Sequence, residues 1–456
     1  MEWLTITPPL LAIIVAVWTR NVFWALGIAI WLSETIIAGF NPFLGALGSI
    51  DRAVSVFDSP YSTRVLLFCL IIGALIVYMQ KSGGISAMVE RLQSSGFAST
   101  PRRASLVTAI CGVLIFVETN ISLLTTGILG RPLFDKLNVS RERLAYIIDS
   151  TCAPVSVLIL FNGWGAYLLG LLNENGVENA TTVLMATIGL NFYAWIAIAM
   201  VFVTVFANRT FGPLAAVERG DGGSRAIASG PFNEAPEPAS KAIYMAIPLV
   251  IMIGGTILFM LWTGNGDIRQ GSGAQAILWS VILATAAAFL CLAHSKRAKG
   301  ELVDIGFKGM GDLLPAVTMI FLALVLGASL NAVGMREFIA SIASSFPAPW
   351  VIPAILFLAA AITSFTAGTS WGTYGILVPV AVPLAVGAGV PMPLAIAAVM
   401  GGGVFGDHCS PISDTTIIAS LASGCDHMEH VRTQLPYALI GGAATTGLYL
   451  LAGLAA

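Results

Sequence analysis

Charge is what this sequence has least of: Asp, Glu, Lys and Arg make up 10% of its 456 residues, where an ordinary soluble domain carries roughly 25%. So little polar surface cannot cover a chain of this length in water, and a soluble globular protein is excluded. A basic tract is missing as well, and the formal net charge is −2, so no nucleic-acid partner is indicated. The six cysteines, Cys69, Cys111, Cys152, Cys291, Cys409 and Cys425, form no Cys-x-x-Cys pair and lie in or beside apolar stretches. They read as small packing residues rather than metal ligands or disulfides. The N-terminus lacks the basic region and small-residue cleavage site of a removable signal, so the first apolar segment is expected to stay.

What fills the chain instead is hydrophobic sequence, 57% of all residues, in runs close to the roughly 20 residues that cross a bilayer. Membrane segments are expected at 7–18, 22–40, 62–79, 104–117, 121–134, 144–172 with an internal break, and 183–207. A polar linker follows at 209–240. Further segments are expected at 242–262, 274–293, 313–333, 350–364, 373–386, 394–422 with a second break, and 435–451. The pairs 104–117 with 121–134 and 350–364 with 373–386 are too short and too closely joined for two crossings each. Each reads as a re-entrant helical hairpin whose tip points into protein, because polar backbone facing lipid is intolerable.

The halves resemble each other. Residues 116–129 parallel 364–377, sharing Ser122/Ser370, Thr125/Thr373 and the Gly-Ile-Leu that follows. About thirty residues later, Asp149-Ser-Thr-Cys-Ala-Pro-Val-Ser156 parallels Asp407-His-Cys-Ser-Pro-Ile-Ser413 through Cys-x-Pro-x-Ser. Both matches in one order indicate an internal repeat. Five crossings separate the repeat starts, and an odd number inverts the second repeat relative to the first. With both termini outside, all of the 22 Lys and Arg face the cytoplasm except Arg52, Arg64, Arg269 and Arg336, as the positive-inside rule requires. The fold class expected is an all-α polytopic membrane protein with inverted repeats, re-entrant hairpins and discontinuous helices. Its parts are N-terminal scaffold or dimer-contact helices over 1–58, a first repeat over 59–208, the cytoplasmic linker over 209–240, connecting helices over 241–295 and the second repeat over 296–456.

Ionisable groups inside a bilayer cost about 2.5–3.5 kcal/mol each on the insertion scale and are functional candidates by default. Those placed deep are Glu118 at the first tip, Asp149 in the first broken helix, and Asp407, His408 and Asp414 in the second. Each also has a structural role open to it: Glu118 as a helix cap, Asp149 as a cap or interhelical hydrogen-bonding group, His408 as a packed histidine rather than a proton acceptor. The run Gly406-Asp-His-Cys-Ser-Pro-Ile-Ser-Asp-Thr-Thr416 is the most specific signal. Gly401, Gly402 and Gly403 precede it, and Pro411 frees backbone carbonyls at membrane depth. Carbonyls, hydroxyls and carboxylates are hard oxygen ligands for Na⁺, and the same carboxylates accept protons. Asp149, Asp407 and Asp414 are the Na⁺ candidates, with Asn120, Ser122, Thr125, Ser150, Thr151, Asn162, Thr366, Thr369, Ser370, Thr373, Ser410, Ser413 and Thr415 as uncharged partners. His427, Glu429 and His430 fall in a short cytoplasmic loop, a solvated or pH-sensing face. No following strand turns the glycine run into a phosphate loop. A Ser410, His408 and Asp414 triad fails on geometry, since neighbours two apart cannot orient one another; no enzyme is expected.

With these motifs the chain resembles the NhaC-type sodium/proton antiporter family, within the wider ion transporter superfamily. The motif at 406–416 carries the resemblance, continued by Ser423-Gly-Cys-Asp-His-Met-Glu-His-Val-Arg-Thr-Gln-Leu-Pro436 and supported by Asp149-Ser-Thr-Cys-Ala-Pro154; it covers essentially the whole chain. It implies a dimeric, multi-pass protein of a bacterial inner membrane, with membrane lipids around it and a moving part that carries hairpins and broken helices. Relatives of such proteins also exchange organic anions and amino-acid-like solutes. The leading expectation is Na⁺/H⁺ antiport by alternating access, with no cofactor beyond the transported ions. The alternative is Na⁺- or H⁺-coupled transport of a small carboxylate or amino acid. No Lys or Arg is placed in the membrane to pair with a multiply charged anion.

Overall fold

The computed structural model describes residues 2–19, 21–94, 99–116, 119–220, 237–267, 271–297 and 300–456, and every regular element among them is a helix. Two helices open the chain, α1 (Thr7–Thr19) and α2 (Val22–Ile37). The cap of α2 is Asn21, whose Oδ1 accepts from the Phe23 and Trp24 amides at 3.0 and 3.3 Å. The chain then turns by 114° into α3 (Pro42–Ser55). That helix starts at Asn41-Pro42, a side-chain cap followed by a residue whose missing N–H would have been unpaired there anyway.

The first half continues with α4 (Pro60–Lys81), the short α5 (Gly84–Ser94), hairpin arms α6 (Pro101–Leu114) and α7 (Thr119–Lys136), the pieces α8 (Arg141–Leu158) and α9 (Gly163–Glu174), then α10 (Ala180–Leu190) and α11 (Phe192–Ala207). After α12 (Gly212–Glu218), α13 (Ile243–Thr263), α14 (Gly273–Ser295) and α15 (Leu302–Asp312), the order recurs. A long helix α16 (Leu314–Ala332) and a short one, α17 (Met335–Ser344), lead to hairpin arms α18 (Ile352–Ala367) and α19 (Ser370–Ala388). The pieces α20 (Met392–Cys409) and α21 (Asp414–Ser423) and the closing α22 (His427–Ala455) follow. Among the described residues seven helices are long and apolar enough to cross a membrane, or up to ten with each bent pair counted as one span. The chain is an all-helical, multi-pass protein with a hairpin and a discontinuous helix in each half.

Several boundaries depart from the sequence reading, each for a local reason. The first break does not fall at Cys152-Ala-Pro154. Helix α8 runs through Pro154 to Leu158, and the chain bends by 44° only afterwards, where Asn162 caps α9. The segment over 183–207 is divided at Asn191, which caps α11. Part of the 209–240 linker is helical, and residues 221–236 lie outside the described residues. The arms of the second hairpin are longer than expected: α19 alone has 19 residues. What marks it as a hairpin is its tip, which is buried against the neighbouring break rather than at that helix's end. Arg143, expected to face the cytoplasm, is buried and donates to Glu218 at 3.2 Å and Asn208 at 3.3 Å.

The glycine run explains how the second half packs. A Cβ on Gly402 would fall 2.2 Å from the Phe357 carbonyl oxygen, and one on Gly406 would fall 2.4 Å from that of Ala361. Small residues four apart make a seam that lets α20 lie directly against the backbone of α18, the way membrane helices associate without a hydrophobic driving force.

Candidate transport site

Each hairpin tip is held at the break of the adjacent broken helix. In the first half the buried Asn162 does this with its whole amide. Its Oδ1 accepts from Trp164 and Gly165 N–H at 3.0 and 3.2 Å, and its Nδ2 donates to the carbonyls of Phe116 and Ser156 at 3.1 and 2.7 Å. In the second half Ser410 Oγ donates to the Phe365 carbonyl at 2.7 Å. At that tip Gly368 has φ +68°, and a Cβ there would meet the Ile412 carbonyl oxygen at 2.5 Å. Glycine is required twice over, for the left-handed backbone and for the close approach.

Between the tips and the breaks lies a cavity of about 260 Å³. Asn120 comes from the first tip, Thr369 and Trp371 from the second, Gly163 and Trp164 from the start of α9, and Asp414 from the start of α21. The rings of Trp164 and Trp371 lie 4.1 Å apart, and Tyr167 stacks on Trp371 at 5.2 Å. Two half-helices thus aim their partly positive N-termini at one space. Among the described residues, Asp414 and Asp312 are the charged side chains on its wall, and no Lys or Arg lines it.

The three carboxylates chosen from sequence lie near one another, but each has its own donors. Asp407 is wrapped by the second hairpin: Ser370 donates to Oδ2 through its amide at 3.0 Å and through its hydroxyl, while Ser364 and Ser413 donate to Oδ1 at 3.2 and 3.5 Å. Asp149 belongs to a separate buried cluster. Its Oδ2 accepts from Gln434 Nε2 at 2.6 Å, His430 Nε2 at 3.3 Å and Thr416 Oγ1 at 3.5 Å. Asp414 faces the cavity, and its Oδ1 also accepts from the Thr415 amide at 2.9 Å.

The remaining candidates divide the same way. Asn120 and Thr369 reach the cavity. Ser370 and Ser413 serve Asp407, and Ser413 also shares a hydrogen bond with Thr415 at 3.1 Å. Ser122 bonds Cys152 Sγ at 3.0 Å and so joins α7 to α8. Thr151, Thr366 and Thr373 return their hydroxyls to their own helix carbonyls, while Ser150 and Thr125 are buried on α8 and α7. His408 shares a hydrogen bond with Tyr193 at 3.0 Å. Glu118 lies outside the described residues.

The loop assigned to His427, Glu429 and His430 is instead the first turn of α22. Asp426 caps it by accepting from the Glu429 amide at 3.0 Å. That places His430 and Gln434, one turn apart, on the face that meets Asp149. It also sets His427 Nε2 at 2.6 Å from the Pro411 carbonyl freed by the second break. The Asp-x-x-Glu capping pattern at 426–429 was the available signal. Ser364, Thr416, Tyr193 and the two tryptophans carried no such signal, because hydroxyls and indoles are ordinary in membrane helices.

Comparison with known proteins agrees with this fold. A protein of Haemophilus influenzae without assigned function is 29% identical, over 98% of this chain and 90% of its own length. The arginine/ornithine antiporter ArcD of Halobacterium salinarum is 35% identical over 212 residues, 45% of this chain and 42% of that one. The crystal structure of the YdaH transporter of Alcanivorax borkumensis shares the fold, with a TM-score of 0.53 at 16% identity over 89% of this chain and 88% of that one. Residues 164–454, which include the second hairpin, the second broken helix and α22, match the model of the Na⁺/H⁺ antiporter family, and the chain belongs to that family.

Proposed function

We propose that this antiporter exchanges a small cationic or zwitterionic organic solute, held at Asp414, in a cycle coupled to Na⁺ or H⁺. The cavity carries the reading: about 260 Å³ of space with two carboxylates, two closely packed indoles and, among the described residues, no basic side chain on its wall. A water occupies roughly 30 Å³ of liquid, so the space exceeds by several-fold what one dehydrated Na⁺ fills. Aromatic faces attract ammonium groups as well as apolar surface. Two half-helix N-termini offer the complementary end for a carboxylate, whereas a multiply charged anion finds no partner. The H. salinarum relative named for two amino acids is consistent with this cargo.

Exchange of Na⁺ for H⁺ alone is the second reading, favoured by the oxygen-rich surroundings of Asp407. In either case the setting is a bacterial inner membrane, with both termini outside as the charge distribution indicates. The test is a thermal-shift panel of amino acids, amines and organic acids on the purified protein, with and without Na⁺. It is paired with vesicles holding a pH-sensitive dye. Saturable stabilisation by one amine-bearing solute, lost in Asp414→Asn, supports the first reading. Na⁺-driven alkalinisation or acidification with no stabilising solute overturns it in favour of the second.

A further inference from the structure

The cluster around Asp149 is separate from the cavity, and its bonding is incomplete. Asp149, His408, His430 and Gln434 are at most 1% exposed. Each nevertheless keeps one polar atom with no hydrogen-bond partner among the described residues: Asp149 Oδ1, His408 Nε2, His430 Nδ1 and Gln434 Oε1. Gln434 Nε2 ties the group together, donating to Asp149 Oδ2 at 2.6 Å and to the His408 carbonyl at 3.1 Å. Buried unpaired polar atoms are costly, and four in one cluster call for a ligand. Among the described residues no three His, Cys, Asp or Glu side chains are arranged to hold a metal ion.

We infer that Asp149, His430 and His408 form a proton-carrying site, distinct from the place where cargo binds. The inference rests on the antiporter reading and names the coupling ion of one of its sites. With His430 neutral, its Nε2–H donates to the Asp149 carboxylate and Nδ1 is bare, so the pair has a net charge of minus one. A proton arriving at Nδ1, or at Asp149 Oδ1, makes the pair neutral; its departure restores the charge. An uncompensated charge at membrane depth opposes movement of the helices that carry it, so the loaded pair moves and the empty one resists.

Titratable neighbours surround the site, with Asp407 beside His408 on α20 and Tyr146 on α8 itself among them. His430 comes from α22, His408 from α20 with Tyr193 of α11 behind it, and Asp414 from α21. Cys152 lies on α8 itself, with Cys111 of α6 beyond it. The charged groups of α7 and α12 that pair with α8 do so at its far end, Asp135 with Arg141 and Glu218 with Arg143, and Glu174 ends α9. Thr416 connects this site to the other. It reaches both Asp149 Oδ2 at 3.5 Å and the Asp407 carbonyl at 3.1 Å, from the same first turn of α21 that presents Asp414 to the cavity.

The test is an infrared pH titration of the full chain in nanodiscs, following carboxyl and imidazole bands, with Asp149→Asn, His430→Gln and Asp414→Asn checked for folding by gel filtration. The expected result is one coupled carboxyl and imidazole transition that disappears in Asp149→Asn. Its midpoint should move by about one pH unit or more in His430→Gln, and the transition itself should persist in Asp414→Asn. Should Asp149→Asn fail to fold, the His430→Gln shift decides. A transition unchanged in both Asp149→Asn and His430→Gln, or one lost in Asp414→Asn, overturns the assignment. Uptake of ²²Na⁺ driven by a pH gradient is measured on the same preparations. Titration without flux of ²²Na⁺, or of any solute that stabilises the protein in the thermal-shift panel, under any gradient refutes the antiport reading alone, and flux without the titration refutes the proton site alone.

Discussion

Replacing Asn162 by Ala separates two roles that a buried amide at a helix break can have. If Asn162 is a ligand for the transported species, its loss should weaken binding and leave the fold alone. Its contacts argue the reverse: all four of its hydrogen bonds, at 2.7–3.2 Å, go to backbone groups of Phe116, Ser156, Trp164 and Gly165. At about 1 kcal/mol net for each, Ala removes about 4 kcal/mol and leaves carbonyls and amides unpaired in a dry interior. For a protein of this size that lowers the apparent melting midpoint by on the order of 5 °C. Asn162→Asp keeps the cap for α9 but turns the two donors into acceptors facing carbonyls, so it should be no better than Ala. The assay is thermal unfolding of the purified protein followed by tryptophan fluorescence, with ²²Na⁺ uptake on the same samples. An Asn162→Ala protein that melts within 1–2 °C of the parent while losing transport would refute the structural assignment.

Two further substitutions test the packing of the second half. Gly402→Ala puts a methyl 2.2 Å from a backbone oxygen and should cost about 1–3 kcal/mol by overpacking, read as lower yield of monodisperse protein; normal yield and melting would show that α18 and α20 separate easily. Arg131→Gln removes the guanidinium that donates to the Ala422 carbonyl at 2.6 Å and to that of Leu421. Since charge-assisted bonds are worth about 1.5–3 kcal/mol, hydrogen exchange of α21 should speed up at least tenfold, and unchanged exchange would mean that Arg141, which donates to Gly424 at 3.1 Å, suffices.

Much of the architecture was legible because membrane segments announce themselves by length and apolarity, and because the second break carries its own cause in Pro411. The first break was misplaced by sequence similarity: Cys-x-Pro-x-Ser recurs, yet Pro154 is accommodated inside α8, and the interruption comes where Asn162 offers a better cap. The short helices α3, α5, α15 and α17 were not foreseen, being too short or too polar to read as membrane spans. At the site, chemistry-bearing residues were found but their grouping was not. Which carboxylate meets which donor depends on how α22 lies against α8, a contact between residues nearly three hundred positions apart, and no local pattern encodes it. His430 and Gln434 were lost for a smaller reason, a helix start placed eight residues too late despite the cap at Asp426.

The grouping itself suggests why the run at 406–416 places two carboxylates so close together. Asp407 ends α20 and is fully occupied by hairpin hydroxyls and an amide; Asp414 begins α21 and faces the cavity. With His427 bridging the break to α22 at the Pro411 carbonyl, the short half-helix α21 is fastened at one end to the cargo space and along one side to Asp149. A helix of 10 residues has little stability of its own, so its position is set by those attachments. Occupancy of the cavity at Asp414 and protonation at Asp149 therefore act on the same movable piece, through residues two positions apart, and this is the physical requirement for making one depend on the other.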